Sequence, residues 1–195
     1  MSPTQPRQPG GVPTGGQFAS ASHTEADLAL EVPAAGVDPW EPTNVHDLVT
    51  SMAPRLAADA AAVRDLPPEG ADAVEWRRDV DAVRVAFESV PTMMDGSSEP
   101  VRVAAEARFE AGMATLRARS DHHLAAAIAP TAAAGLRAYA DERRTYPAHM
   151  TADEWAAKID SMIAGFDSAA SGAPDQAVVD EGVEAFARNY VSLWS

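Results

Sequence analysis

The chain has 195 residues, which suits one domain with a tail, and 46% of them are hydrophobic, much of that share being alanine. Its 15 basic and 29 acidic residues give a net charge of −14, which argues against nucleic-acid binding by phosphate neutralisation and against docking on anionic lipid. The lack of cysteine excludes disulfides and thiol catalysis, and no apolar run approaches the roughly 18 residues that span a bilayer. We therefore expect a cytoplasmic protein. Its alanine content favours helix, because alanine has the highest helix propensity.

Residues 1–42 form a segment rich in Pro, Gly, Ser and Thr. Such a segment cannot bury enough apolar surface to offset the entropy lost on ordering, so we predict a disordered arm. Gln17 and Phe18 are candidates for a linear recognition motif within it, because an apolar side chain in a disordered arm has no core to serve. Trp40 marks the point where the chain is expected to reach a single folded domain at 43–195.

Two helices are predicted in the first part of this domain. The first covers about 44–65, with Thr43 as its N-cap and Pro54 inside the pattern, and the second covers about 71–90. Their apolar side chains recur at helical spacing and are expected to face the core: Val45, Leu48, Val49, Met52, Leu56, Ala60 and Val63, then Trp76, Val80, Val83, Phe87 and Val90.

A third helix is predicted from about Ser98, with Pro100 in its first turn, where a missing N–H is tolerated. It ends near Arg119 or continues into a fourth helix over about 121–144. The predicted inner faces are Val101, Ala105, Phe109, Met113 and Leu116 in the third helix and Leu124, Ile128, Leu136 and Tyr139 in the fourth.

Two further helices follow a capping box and a capping aspartate. Thr151 and Glu154 have the spacing in which each side chain bonds the other's backbone, and Asp175 precedes the last helix. The expected inner faces are Trp155, Ile159, Met162, Ile163 and Phe166, then Val179, Val183, Phe186, Tyr190 and Leu193, with Trp194 at the end. Six helices and no strand pattern predict an all-α fold, either a compact bundle or an orthogonal array.

The residue types that carry chemistry form no recognised catalytic pattern. His122 and His123 are adjacent, so on a helix they point about 100° apart and cannot chelate one metal ion. His149 could approach Glu154 as an acid–base pair, although an ordinary loop histidine is the favoured interpretation. We predict no catalytic residue, no cofactor and no metal ligand.

Two pairs of acids, Asp153–Glu154 and Asp180–Glu181, could hold a divalent cation. The preferred interpretation is that they stabilise the starts of their helices, because the helix dipole favours acids there. The run 141–144 resembles a solvated helix end. Aromatic side chains at helical spacing could line a ligand groove, but core packing is favoured for them: Trp155, Phe166, Phe186, Tyr190 and Trp194.

The part of the chain over about 121–195 resembles a family of small uncharacterised tailed-bacteriophage proteins. The residues that carry the resemblance are Ile128-Ala-Pro130, Tyr146-Pro147, Met150-Thr-Ala-Asp-Glu-Trp155, Ile159 to Asp167, and Asp180-Glu-Gly-Val-Glu-Ala-Phe186 to Tyr190, Leu193 and Trp194. The family pattern has Arg at the position of Thr131 and Glu at that of Asp167, although Ala53-Pro-Arg-Leu56 keeps the string that ends in Pro-Arg-Leu. The resemblance implies phage origin and carries no activity.

The arm also contains Gly11-Val-Pro-Thr-Gly-Gly-Gln-Phe-Ala19, followed by His23-Thr-Glu25. This string resembles a short tag near the N-termini of many actinobacterial and actinophage proteins. Together the two resemblances imply a phage or prophage protein of an actinobacterial host.

Three functions remain open. The first is a non-enzymatic accessory protein that binds a host or phage protein through a helical face and the arm, with Gln17, Phe18, Trp40 and Trp194 as candidate contacts. The second is an acidic mimic of nucleic acid, which requires acids arrayed on one face, such as Asp72, Glu75, Asp79 and Glu88. The third, least favoured, is a divalent-metal-dependent enzyme.

Overall fold

The computed structural model describes residues 45–119, 123–142 and 146–194, without the side chains of Val45, His46 and Trp194. Within these ranges the fold is all-α, with six α-helices, one 3-10 helix and no strand, as predicted. The bounds are α1 Val45–Ala62, α2 Ala73–Met94, α3 Glu99–Ala118, α4 His123–Glu142, α5 Ala152–Ala169, α6 Gln176–Asn189 and the 3-10 helix Tyr190–Trp194. The predicted arm at 1–42 and the Thr43 cap lie outside the described residues.

Side chains that accept bonds from free backbone N–H groups fix three of the helix starts. The Asp72 carboxylate caps α2 by accepting bonds from the N–H groups of Val74 and Glu75, at 2.9 and 2.8 Å. Asp175 caps α6 in the same way. The capping box of α5 is confirmed.

The six helices pack in a closed circuit. α1 packs against α2, α2 against α3, α3 against α6, α6 against α5, α5 against α4, and α4 returns to α1. The 3-10 helix packs against α1 and α6. Four of these six pairings join helices that are neighbours in the sequence, and two do not: α3 with α6, and α4 with α1.

An aromatic cluster fills the region between α2, α3, α6 and the 3-10 helix. Tyr190 has its ring centroid 5.1 Å from that of Phe186, 5.5 Å from Phe109 and 5.8 Å from Phe87. Phe166 stands edge-on to Phe186 at 4.9 Å. All of these pairs are edge-to-face except that of Phe109 with Tyr190, which is tilted at 34°. The contacts add to the burial of large apolar surface and anchor a core otherwise built from small side chains.

Glycine allows two helix pairs to approach closely. A Cβ at Gly182 of α6 would lie 2.5 Å from the Cα of Gly165 in α5, and a Cβ at Gly112 of α3 would lie 2.4 Å from the Cβ of Ala86 in α2. No side chain fits at either crossing unless the helices separate.

The predicted helix limits need three corrections. The second helix continues through Pro91 to Met94, because Met93 and Met94 pack against the core and keep the last turn in place. The first ends at Ala62 instead of 65. The last helix stops at Asn189, and a tighter 3-10 turn carries Tyr190 and Leu193 into the core.

Most predicted core positions with described side chains are buried, but Val63 and Ile163 are only partly buried and Val101 is exposed. Val101 is 48% exposed, because it lies in the first turn of α3, before the packed part of that helix begins. The third helix ends at Ala118, with Arg119 as its C-cap. The predicted end near Arg119 is therefore confirmed, and the alternative of continuation into the fourth helix is wrong.

Candidate functional site: an outward face of α3

The residue types that could carry catalysis lie apart on the surface or serve the fold. His123 is exposed in the first turn of α4, and His149 is exposed in the turn before α5; His122 lies outside the described residues. Asp141 and Glu142 are exposed at the end of α4, and residues 143–144 also lie outside the description.

The acids at the start of α5 serve the helix cap. The Glu154 carboxylate accepts bonds from the Thr151 backbone N–H at 2.8 Å and from its hydroxyl at 2.9 Å. These bonds hold the pKa of the Glu154 carboxyl below its usual range, the backbone bond being the larger cause. Its neighbour Asp153 is exposed in the same first turn, where the helix dipole favours an acid.

The second acid pair engages neighbouring side chains. Asp180 accepts a bond from the Gln176 amide at 2.5 Å, and Glu181 accepts one from the Ser161 hydroxyl at 3.3 Å. Among the residues that the structure describes, no three His, Asp or Glu side chains group closely enough to hold a metal ion. No described helix is long and apolar enough to cross a membrane.

The aromatic side chains belong to the core, as their helical spacing favoured. Trp155 is buried, and its indole N–H donates to the Tyr139 hydroxyl at 3.1 Å. Phe166, Phe186 and Tyr190 are also buried, and burial raises the pKa of the Tyr190 phenol. None of these four lines an open groove, and the Trp194 side chain lies outside the described residues.

The acids of α2 that a mimic of nucleic acid would require on one face are engaged locally. Asp72 caps the helix. Arg119 at the end of α3 contacts two of the others, Asp79 at 2.5 Å and Glu75 at 3.5 Å. The fourth, Glu88, pairs with Arg84 at 2.6 Å. The surface of α2 therefore alternates in sign instead of presenting a continuous acidic face.

The feature that remains is the side of α3 that faces away from the core. Ala105, Phe109, Met113 and Leu116 of this helix are buried. On the opposite side lie five exposed alanines that follow one another at alternating spacings of three and four residues: Ala104, Ala107, Ala111, Ala114 and Ala118. We call these five residues the α3 outer face. Val103 beside them is 49% exposed.

A shallow groove runs along this face where α3 meets α6 and the 3-10 helix. Its floor and walls include Ala107, Ala111 and Ala114 from the α3 outer face, together with Val191 from the 3-10 helix, which is 41% exposed. Charged side chains border it: Glu110, Arg117 and Arg188. The groove is open and mixed in polarity, so it suits a protein surface better than an enclosed small molecule.

The small side chains of the α3 outer face favour another helix as its binding partner. Alanine side chains leave the backbone of α3 within reach of another helix, so two helices could approach to about 8 Å, the lower end of the usual range. Charged side chains on both flanks would fix the orientation and register of that helix.

Gln17, Phe18 and Trp40 lie outside the described residues, and of Trp194 only the backbone, at the end of the 3-10 helix, is described. Sequence reasoning missed the α3 outer face, although the spacing of its alanines is readable in the sequence.

Comparison of the chain with protein-family models, with curated proteins and with solved structures finds no match.

Proposed function

We propose that this chain is a non-enzymatic accessory protein that acts by binding another protein molecule through the α3 outer face. The observation that carries the proposal is the row of five exposed alanines on the side of α3 opposite its buried positions. Helix-in-groove and helix-on-helix recognition use such a face, with contacts at three- and four-residue spacing.

The distribution of titratable groups supports a binding role over catalysis. The acids at the helix starts bond the N–H and hydroxyl groups of their own caps or neighbours, as described for Glu154 and Asp180. An active site instead brings a nucleophile, an acid or base and a charge-stabilising group together in a concave site. The metal-dependent enzyme therefore has the least support.

A phage or prophage origin in an actinobacterial host is part of the proposal and rests on the two sequence resemblances. It implies action in the bacterial cytoplasm without direct nucleic-acid binding, which agrees with the charge of −14. A gene position among phage structural, replication or defence genes would support this origin. A position among unrelated metabolic genes would count against it.

The acidic mimic of nucleic acid is a weaker candidate. The net charge favours it, but the mimic requires unpaired carboxylates at regular intervals. Arg119 and Arg84 neutralise three of the four acids proposed for the array on α2. A titration of the full chain against host DNA-binding proteins that gives salt-sensitive complexes would favour the mimic.

Site-specific photo-crosslinking tests the binding role. A photoreactive amino acid in place of Ala111 should give protein adducts in the cells that express the chain, because Ala111 lies in the middle of the α3 outer face. The same amino acid in place of Ala164, an exposed alanine on α5, is the matched control. The absence of any adduct specific to position 111 would contradict the proposal.

The arm can be tested in the same cells. If Gln17 and Phe18 form a recognition motif, Phe18→Ala should lower the yield of the adducts formed from position 111. The helicity of the chain should stay unchanged. Equal adduct yields with and without this substitution would restrict binding to the helical domain.

A further inference from the structure

The alanines of the α3 outer face have the spacing of a coiled-coil seam. In a seven-residue repeat with positions a to g, Ala104, Ala111 and Ala118 occupy a, while Ala107 and Ala114 occupy d. All five are exposed, and the buried side of α3 uses other positions. The helix therefore carries two faces: one packs against α2 and α6, and the other is a complete seam with no helix on it among the described residues.

The charged residues beside the seam are arranged asymmetrically. Glu110 and Arg117 occupy successive g positions on one flank, and Arg108 and Thr115 occupy e positions on the other. Within the described part of the chain Glu110 forms no ion pair. Arg117 lies 3.4 Å from Glu184 of α6, and its side chain stays 36% exposed.

These flanks are complementary to themselves when the helix is reversed. In an antiparallel pair the g positions of one helix face the g positions of the other. If Ala111 packs against Ala114 of a second copy, then Ala107 packs against Ala118, and Glu110 faces Arg117 in both directions. Two equivalent ion pairs then flank four alanine layers.

Other arrangements lose this complementarity. A shift by one heptad places Glu110 opposite Glu110 and Arg108 opposite Arg108, so that like charges meet. In a parallel pair g positions face e positions, and Glu110 faces Thr115. Charge therefore selects one register and one direction, which is how flanking charges specify pairing in coiled coils.

We propose that the α3 outer face pairs with the same face of a second copy of this chain, in an antiparallel two-fold dimer held in register by Glu110 and Arg117. This inference rests on the proposed binding role of that face and names its occupant. A two-fold axis requires the same patch on both subunits to be self-complementary, and this face meets that requirement. Val191 at the rim of the groove would be covered on the same flank.

The test is sedimentation of the full chain over a concentration series from about 1 µM to about 1 mM, the range expected for a small interface. We expect a reversible dimer. Glu110→Arg and Arg117→Glu should each raise its dissociation constant at least about tenfold, because each places like charges opposite one another. The double variant Glu110→Arg with Arg117→Glu should restore dimerisation, because the ion pairs reform with their signs exchanged.

Two controls separate association from folding. Ala111→Gln should abolish the dimer, since it puts a long side chain into the seam, whereas Ala164→Gln on the exposed side of α5 should leave it intact. At protein concentrations below the dissociation constant, these two variants should have similar thermal unfolding curves. Because the chain has no cysteine, a mixture of Ala111→Cys and Ala114→Cys chains should form mixed disulfides more readily than either chain alone.

The outcomes separate the two proposals. A monomer throughout the concentration series, or a dimer indifferent to both charge reversals and to Ala111→Gln, overturns this inference. If the chain is a monomer and still gives foreign adducts from position 111 in cells, the binding role of the face stands and only its occupant is wrong.

Discussion

The crossing of α5 and α6 makes a sharp prediction about stability. In Gly182→Ala the new methyl group would lie 2.5 Å from the Gly165 Cα, 2.7 Å from the Ser161 carbonyl oxygen and 2.9 Å from the Gly165 nitrogen. All three are backbone atoms, which cannot turn aside as a flexible side chain would. The helices must separate by about 1 Å to restore normal contact distances of about 3.5–4.0 Å.

The size of the effect follows from two opposing terms. Overpacking of a close contact costs about 1–3 kcal/mol, and a clash with three backbone atoms belongs at the upper end. Alanine in a helix recovers about 1 kcal/mol relative to glycine. We therefore expect Gly182→Ala to lower the free energy of unfolding by about 2 kcal/mol, which corresponds to a fall of about 4–8 °C in Tm for a chain of this size.

Far-ultraviolet circular dichroism during thermal and urea unfolding measures this change. The matched control is Gly172→Ala, because a Cβ at Gly172 meets nothing within 4 Å and the residue lies in the loop before α6. The control should stay within about 0.5 kcal/mol of the wild type. If Gly182→Ala is as stable as the control, the close approach of α5 and α6 is not a feature of the folded protein.

Three further predictions concern bonds within the fold. Tyr139→Phe removes the acceptor of the buried Trp155 indole N–H and should cost about 1–3 kcal/mol in urea unfolding, whereas no loss would mean that the bond is absent. Arg119→Met should cost about 1–3 kcal/mol at neutral pH, because it takes a charged donor from the buried Asp79 carboxylate. Bonds from backbone N–H groups lower the pKa of Asp72, so its contribution is present above the unfolded pKa of about 3.9 and is lost as pH falls through the folded pKa. Asp72→Asn keeps the cap and should flatten the acid limb of the stability profile; an unchanged limb would contradict this cause.

The sequence was sufficient to predict the fold class and the positions of the helices. Large apolar side chains at helical spacing, such as Phe87 on α2 and Phe166 on α5, mark faces that must be buried. Capping residues such as Thr151 and Asp175 mark where helices begin. Helix ends were harder to predict, because Met93 and Met94 stabilise α2 beyond Pro91 through contacts that appear only in the folded chain.

The candidate site was not predicted, and alanine is the reason. Alanine suits a helix equally well on its buried and its exposed side, as Ala105 and Ala104 show in adjacent positions of α3. The spacing of Phe109, Met113 and Leu116 identifies the inner side of α3, but it does not show whether another helix covers the opposite side. Only the folded chain, in which α3 packs against α2 and α6, shows that the opposite side stays exposed among the described residues.

Thiol accessibility inside cells tests the central claim most directly, because the chain has no cysteine of its own. Single-cysteine chains Ala111→Cys and Ala164→Cys are compared for their rates of labelling by a membrane-permeant maleimide, in cells and as dilute purified protein. If protein covers the α3 outer face, position 111 should label more slowly in cells than in dilute solution, while position 164 changes little. Equal rates for position 111 in both conditions would contradict the account.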